Sequence, residues 1–448
     1  MYEKLDQIPR PQPPRPHRSL VSIVLGTVAL FSVAWHCLSF FHPDIAIWRV
    51  SSAERVLKNN PLIDGHDDLA ILVRFLYGND IDDKNFADKF EEGGLVGQVD
   101  IPRLDEGLVG GQFWSAFVEC PKDGFDFSDG AYAVRVRETL QQIDLLHRLS
   151  DKYPKYFSFP QDARQAEQNW KSGKLISPIG IEGLHQIGNS PATLRLLHKL
   201  GVRYATLTWN CHNKYADAAL TPAGDSFEVS KPYHGGISKA GHDLILEMNR
   251  LGMLVDLSHV SVDTMRDALG GSPGWNGSLA PPIFSHSSVK AICPHPRNVP
   301  DDILELVKER NALVMINFSP DFVSCGEPIG DDGLPTYFDE TNTIDHVVKH
   351  IMYIGEKIGY DHVGIGTDYD GIPTVPRGLK DVSSFPDLIK ALLDKGVSEK
   401  DTGKIVGRNL LRVWHEADRV AAKLQKEVYP LLDEIELGRS AVDGFFSA

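Results

Sequence analysis

The sequence has 448 residues and a formal charge of −15, which excludes a general nucleic-acid binder because such proteins need a basic face. Hydrophobic residues make up 42% and charged residues 24%, ordinary values that exclude disorder over the whole length. The length fits either several average domains or one large α/β barrel with insertions.

Residues 8–18, IPRPQPPRPHR, contain five prolines and three arginines. Proline at that density favours extended chain, so 1–18 reads as a disordered tail. Residues 20–41 then run for 22 positions without Asp, Glu, Lys or Arg. A membrane-spanning helix needs about 20 apolar residues, whereas a cleaved signal peptide has an apolar stretch of roughly 7–15 followed by a small-residue cleavage site. The sequence therefore predicts an uncleaved signal anchor at 19–41 and a single-pass membrane protein. Lys4, Arg10, Arg15 and Arg18 precede the segment, against Arg49, Arg55 and Lys58 after it, a weak bias toward a cytosolic N-terminus.

Of the five cysteines, Cys37 lies in the apolar segment, and Cys120, Cys211, Cys293 and Cys325 follow it. An even number without a CxxC pair suits two disulfides in an oxidising compartment. The sequon at Asn276 agrees with a lumenal or extracellular body and marks a glycosylation site. A second, at Asn317, closes an apolar run, a position that points to burial. No apolar tail closes the sequence to signal a lipid anchor.

Beyond residue 45, short runs rich in β-branched residues alternate with helical patterns. The runs are 61–69, 97–104, 175–184, 203–209, 252–260, 281–288, 311–319 and 362–371, eight in all. Helix candidates between them include Ala133–Arg148, Pro191–Leu200, Ala240–Leu251, Asp301–Arg310 and Ile344–Gly359. Eight alternations with near-continuous apolar strands predict a parallel (β/α)₈ TIM-type barrel over 45–448, with a helical C-terminal extension from about 384. An open doubly wound sheet is the alternative, but no GxGxxG loop is present to seat a nucleotide.

Metal-type side chains gather at the ends of these runs: His66 and Asp68 on the first, Glu182 on the third, His259 on the fifth, His286 on the sixth and Asp368 on the eighth. In a barrel the C-terminal strand ends converge on one mouth. His66 and Asp68 are two apart, so both point to one side of a strand. Imidazole with carboxylate suits zinc or a similar divalent ion, and Glu182 can bridge two such ions. Most of the 17 histidines have other roles: His147, His198, His346, His350 and His415 fall within helical patterns.

Those stretches resemble the membrane (renal-type) dipeptidases, the M19 metallopeptidases. The resemblance lies in IDGHDDL, QVDIPRL, GGQFWSAFVEC, IEGLHQIGNS, GVRYATLTWNC, GMLVDLSHVS, IFSHSSVKAICPHPRNVPDD, VMINF, VGIGTDYDG and GRNLLRVW, spanning about 52 to 415. It implies two zinc ions per chain: one on His66 and Asp68, the other on His259 and His286, with Glu182 bridging. It implies hydrolysis of dipeptides, including those with a C-terminal D-residue, by a hydroxide between the metals. Arg297 would hold the substrate carboxylate, and Asp368 would serve the scissile amide. The disulfides would pair Cys120 with Cys211 and Cys293 with Cys325, and a homodimer is implied.

The sequence departs from the family at Thr208-Trp209-Asn210-Cys211, where Trp209 stands at the position of a substrate-contacting histidine. His212, three residues on, is the candidate to reach in from the loop. Losing one oxyanion donor typically costs about 10²–10³ in kcat. A metal hydrolase with a shifted substrate and a weakly active binding homologue are therefore the alternatives.

Overall fold

The computed structural model describes residues 51–434. The tail and signal anchor expected at 1–18 and 19–41 lie outside these residues, as does the end of the C-terminal extension. Among the described residues no helix is long and apolar enough to cross a membrane.

Eight parallel strands close into a barrel. They are β1 (Leu62–Asp67), β2 (Val109–Ser115), β3 (Ile179–Glu182), β4 (Val202–Thr206), β5 (Leu254–Asp256), β6 (Ile283–Phe284), β7 (Leu313–Ile316) and β8 (Val363–Ile365). Each pairs with its neighbours in chain order, and β1 meets β8 at Asp64 and Ile365 to close the ring. Every strand position is buried, which is why these segments read as continuous apolar runs.

Seven of the eight expected runs overlap a strand. The second does not: 97–104 is a turn leading into a short helix, Ile101–Glu106, and β2 follows it. Asp100 caps that helix by accepting from the Arg103 amide, and Pro102 sits in its first turn, so the segment is set for a helix start. The true strand is masked by Gly110 and Gly111. A Cβ on either would collide with Pro61 or Ile176, so close strand approach demands glycine.

The helices lie where their periodicity puts them, at Asp129–Lys152, Pro191–Lys199, Lys239–Leu251, Asp301–Glu309 and Ile344–Ile358. Serine N-caps define several starts: Ser128, Ser190 and Ser238 each accept the amide three residues on. A two-stranded antiparallel ribbon, Leu220–Ala223 with Ser226–Val229, follows β4.

One apolar cluster fills the barrel from its N-terminal end. Leu254, Ile283 and Leu313, the first residues of their strands, pack with Phe113, Tyr204 and Trp414. Trp414 belongs to the C-terminal helix Asn409–Glu427, and its ring stands 5.7 Å from Phe113, which stands 5.3 Å from Tyr204. The extension thus plugs one end of the barrel and leaves the other for the site. Gly180 makes room for this: a Cβ there would overlap the Tyr204 ring.

Removing the plug is expected to cost about 3–5 kcal/mol, the usual range for truncating a buried tryptophan. Urea unfolding of Trp414→Ala checks this, and a loss below about 1 kcal/mol would contradict the role given to the helix.

Candidate active site

The C-terminal strand ends deliver the six expected residues to one buried pocket. β1 carries His66, and Asp68 is the N-cap of the following helix, Leu69–Tyr77. Asp68 makes no cap hydrogen bond; Asp67 accepts the Leu69 amide in its place, at 2.9 Å. The Asp68 carboxylate is thereby turned into the pocket, 3.1 Å from His66 Nε2, and its Oδ1 has no hydrogen-bond partner.

Glu182, the last residue of β3, is the hub. Its Oε1 lies 2.7 Å from His259 Nε2 and 3.3 Å from His286 Nε2, and its Oε2 lies 3.8 Å from His66 Nε2. The two imidazole nitrogens of His259 and His286 are 3.0 Å apart. Asp368 Oδ1 stands 3.9 Å from His66 Nε2. Three overlapping donor sets result: His66, Asp68 and Glu182; Glu182, His259 and His286; and His66, His286 and Asp368. Glu182 alone joins the first two. A further grouping, Cys120, His185 and Cys211, is no metal site because both sulfurs are joined in a disulfide.

Each imidazole is aimed by its other nitrogen. His259 Nδ1 donates to Asn210 Oδ1 at 2.7 Å. His286 Nδ1 donates to Ser285 Oγ at 2.8 Å, and that hydroxyl in turn donates to Asp256 at 2.6 Å. His66 Nδ1 meets the Tyr204 hydroxyl at 2.6 Å. With Nδ1 carrying the proton in His259 and His286, both Nε2 lone pairs face Glu182, the arrangement that suits metal ligation.

Electrostatics agree. Burial, reinforced by the nearby Arg297 and His66 cations, holds His259 and His286 well below the usual imidazole range, so both are neutral. Burial would also lower His66, but the carboxylates of Asp68, Glu182 and Asp368 outweigh it and raise the ring well above that range. Burial pushes Glu182 well up, partly offset by His66. Three carboxylates crowded around three imidazoles, with an unpartnered oxygen among them, is a donor set that fits divalent cations.

Arg297 is buried beside the site, its guanidinium 5.0 Å from the Phe322 ring, with Nε and Nη2 unpartnered. Burial lowers it to about 10, with Asp368 and Glu182 opposing, so it stays charged at neutral pH. Asp368 is held from the side by Asn317 Nδ2 at 3.1 Å. Burial raises its carboxyl, with His66 opposing and Asp68 reinforcing. Both His259 and Asp368 have left-handed backbone, at φ 67° each, strain of roughly 1–3 kcal/mol per residue that a rigid scaffold has to hold. The cavity above these groups measures about 520 Å³.

The membrane dipeptidase family, peptidase family M19, matches residues 50–428. The chain belongs to this family. It is 42% identical over 438 residues to Dipeptidase aclJ of Aspergillus oryzae, with 96% of each chain covered. It is 46% identical over 368 residues to an uncharacterized dipeptidase of Schizosaccharomyces pombe, covering 81% of this chain and 82% of the relative. A metallopeptidase from Rhodobacter sphaeroides, solved with a phosphinate mimic of the dipeptide L-Ala-D-Ala, superposes with a TM-score of 0.66 at 24% identity, covering 80% of this chain and 99% of that one. The probable dipeptidase PvdM from Pseudomonas aeruginosa gives a TM-score of 0.68 at 20% identity, over 82% and 98% of the two chains. These two likenesses show the shared fold.

The disulfides form as the resemblance implied, Cys120 with Cys211 and Cys293 with Cys325. The first ties the loop after β2 to the Trp209–Asn210 segment. Trp209 lines the cavity, its ring 6.1 Å from His259. His212 is not among the cavity's walls: it is buried, with Nδ1 3.2 Å from Asp217 Oδ1. It does not supply the missing imidazole. Asn276 is exposed, whereas Asn317 is fully buried and engaged with Asp368, so the second sequon is structural.

Asn210, Tyr204, Ser285, Asp256 and Asn317 are site residues that pattern reading passed over. Only Asn317 had drawn notice, and as a sequon.

Burial alone would raise the Asp217 carboxyl, but contact with His212 and the amides of His234 and Gly236 brings it down to about 2. A depressed carboxylate stabilises the fold above its unfolded pKa of about 3.9 and loses that contribution as pH falls toward the folded value. Asp217→Asn is therefore expected to be less stable than the parent at pH 7. Thermal melts should show the gap closing between about pH 4 and about pH 2, and a gap independent of pH would contradict the assignment.

Proposed function

We propose that the chain, a metallo-dipeptidase by its family, works with two zinc ions that share Glu182, one completed by His66 and Asp68 and the other by His259 and His286. The observation that carries this reading is Glu182 itself, whose two oxygens face different imidazoles and which belongs to both of these donor sets. Bound at these positions, divalent ions supply Lewis-acid polarisation of the scissile carbonyl and a water acidified toward neutral pH.

The remaining work falls to the protein. Arg297 lines the cavity with a charged guanidinium that has two unpartnered nitrogens, and a substrate carboxylate is the group that suits it. Such a clamp selects short peptides, whose free carboxylate lies close to the scissile bond. Asp368, fixed by Asn317 and with its carboxyl raised by burial, is placed to hand a proton to the leaving amine. Acceptance of a C-terminal D-residue belongs to the same proposal, as does attachment through the apolar segment at 19–41 with the barrel lumenal or extracellular. The two disulfides support that compartment. The same applies to a homodimer and to a glycan on exposed Asn276.

Hydrolysis of L-Ala-D-Ala by the detergent-solubilised full chain tests the central part. Turnover should vanish on chelation and return with zinc, and about two zinc ions should bind per chain. Turnover that survives complete metal removal would refute the proposal. Because a proton and a cation compete for His66, metal retention should fall as the pH drops below neutral, as dialysis followed by metal analysis would show.

Arg297→Ala should raise KM for dipeptides about 10–100-fold, the worth of a charged hydrogen-bonded contact, with a smaller effect on kcat. An unchanged KM would remove Arg297 from the substrate site.

A second reading, a metal hydrolase with a shifted substrate, draws on Trp209. That residue replaces a polar side chain with an apolar ring beside His259.

A further inference from the structure

The cavity has a polar floor and an apolar wall. The floor is the ligand set with Arg297 and Asp368. Over it stands Trp209, half-buried, with its ring 4.9 Å from Phe117 and 5.5 Å from Phe227 in an edge-on arrangement. The three rings come from three separate segments: the loop after β2, the loop after β4 and the antiparallel ribbon. The Cys120–Cys211 disulfide fastens the first two together. A ring held in this way loses little freedom when a ligand stacks on it.

Another part of the cavity lining is apolar too. Phe75 and Leu76, on the helix that follows β1, line the cavity yet remain 68% and 53% exposed. Two large apolar side chains left open at the mouth of a cavity need an apolar partner to cover them, and the cavity's occupant is in position to do so. Phe322 is already engaged by the Arg297 guanidinium and by His295, 4.4 Å away, so it braces the carboxylate clamp.

We propose that the preferred substrates are dipeptides carrying a large aromatic or extended apolar side chain, which stacks on Trp209 and reaches out between Phe117 and the Phe75–Leu76 lip. Trp209 is then a specificity-determining residue. The inference rests on the metal-site reading above and adds the substrate class to it. It also gives the departure at position 209 a purpose: the ring exchanges a polar contact near the metals for stacking surface.

The test compares kcat/KM of the zinc-loaded full chain on L-Ala-L-Ala, L-Phe-L-Ala and L-Ala-L-Phe. At least one phenylalanine substrate should exceed L-Ala-L-Ala by about tenfold or more, the scale of a well-filled apolar pocket. Trp209→Ala should shrink that ratio to below about threefold, and Trp209→Phe should retain most of it. A ratio near one in the parent, or one unmoved by Trp209→Ala, would overturn the inference. Calorimetric binding of phosphinate dipeptide analogues bearing a benzyl or a methyl side chain separates the two claims. Tenfold tighter binding of the benzyl analogue without turnover of any dipeptide would uphold this inference and sink the proposed activity. Turnover of dipeptides with equal binding of both analogues would do the reverse.

Discussion

The site depends on one carboxylate. Glu182 projects from the end of β3 with both oxygens facing imidazoles at the ends of different strands. A carboxylate buried this deeply is costly to keep charged unless positive charge meets both oxygens. Its backbone is pinned accordingly: the Glu182 amide donates to Gln186 Oε1 at 2.7 Å, and Gln186 donates onward to the Ala116 carbonyl and Thr139. The barrel can place β1, β5 and β6 side chains around this point because parallel strands end together on one face.

Around the hub the scaffold works to keep lone pairs pointed inward. Asn210, Ser285 and Tyr204 each take the outward nitrogen of one histidine. Asp256 anchors Ser285 from beneath through both the amide and the hydroxyl. Such outer partners typically govern metal affinity by 10–100-fold. The left-handed backbone at His259 and Asp368 belongs to the same design, since it turns each side chain into the pocket at the point where its strand gives way to loop. The Cys120–Cys211 bridge serves two neighbours at once, steadying Asn210 behind His259 and Trp209 in the cavity wall.

Much of this was legible in the sequence, for identifiable reasons. Parallel barrel strands are buried on both faces, so β1 and β3 through β8 announce themselves as apolar runs, and the candidate ligands follow because they sit at strand ends. β2 stayed hidden because Gly110 and Gly111 replace its apolar signal where backbones crowd. The supporting residues were invisible for a different reason. A serine, an asparagine or a tyrosine at a strand end has many ordinary uses, and only three-dimensional contact shows that Asn210 or Ser285 serves a ligand. His212 illustrates the converse. Three residues from the expected position looks near in sequence, yet the loop turns it toward Asp217 and away from the cavity.

Trp209 leaves the donor sets whole, because it lines the cavity without entering any of them. Metal binding and substrate choice are thereby separable, and the central claim concerns the metals. Anomalous diffraction at the zinc absorption edge, from crystals of the zinc-loaded protein, tests it most directly. Two peaks are expected, one among His66, Asp68 and Glu182 and the other among Glu182, His259 and His286. A single peak, or two peaks that do not share Glu182, would contradict the bridging role on which the site is built.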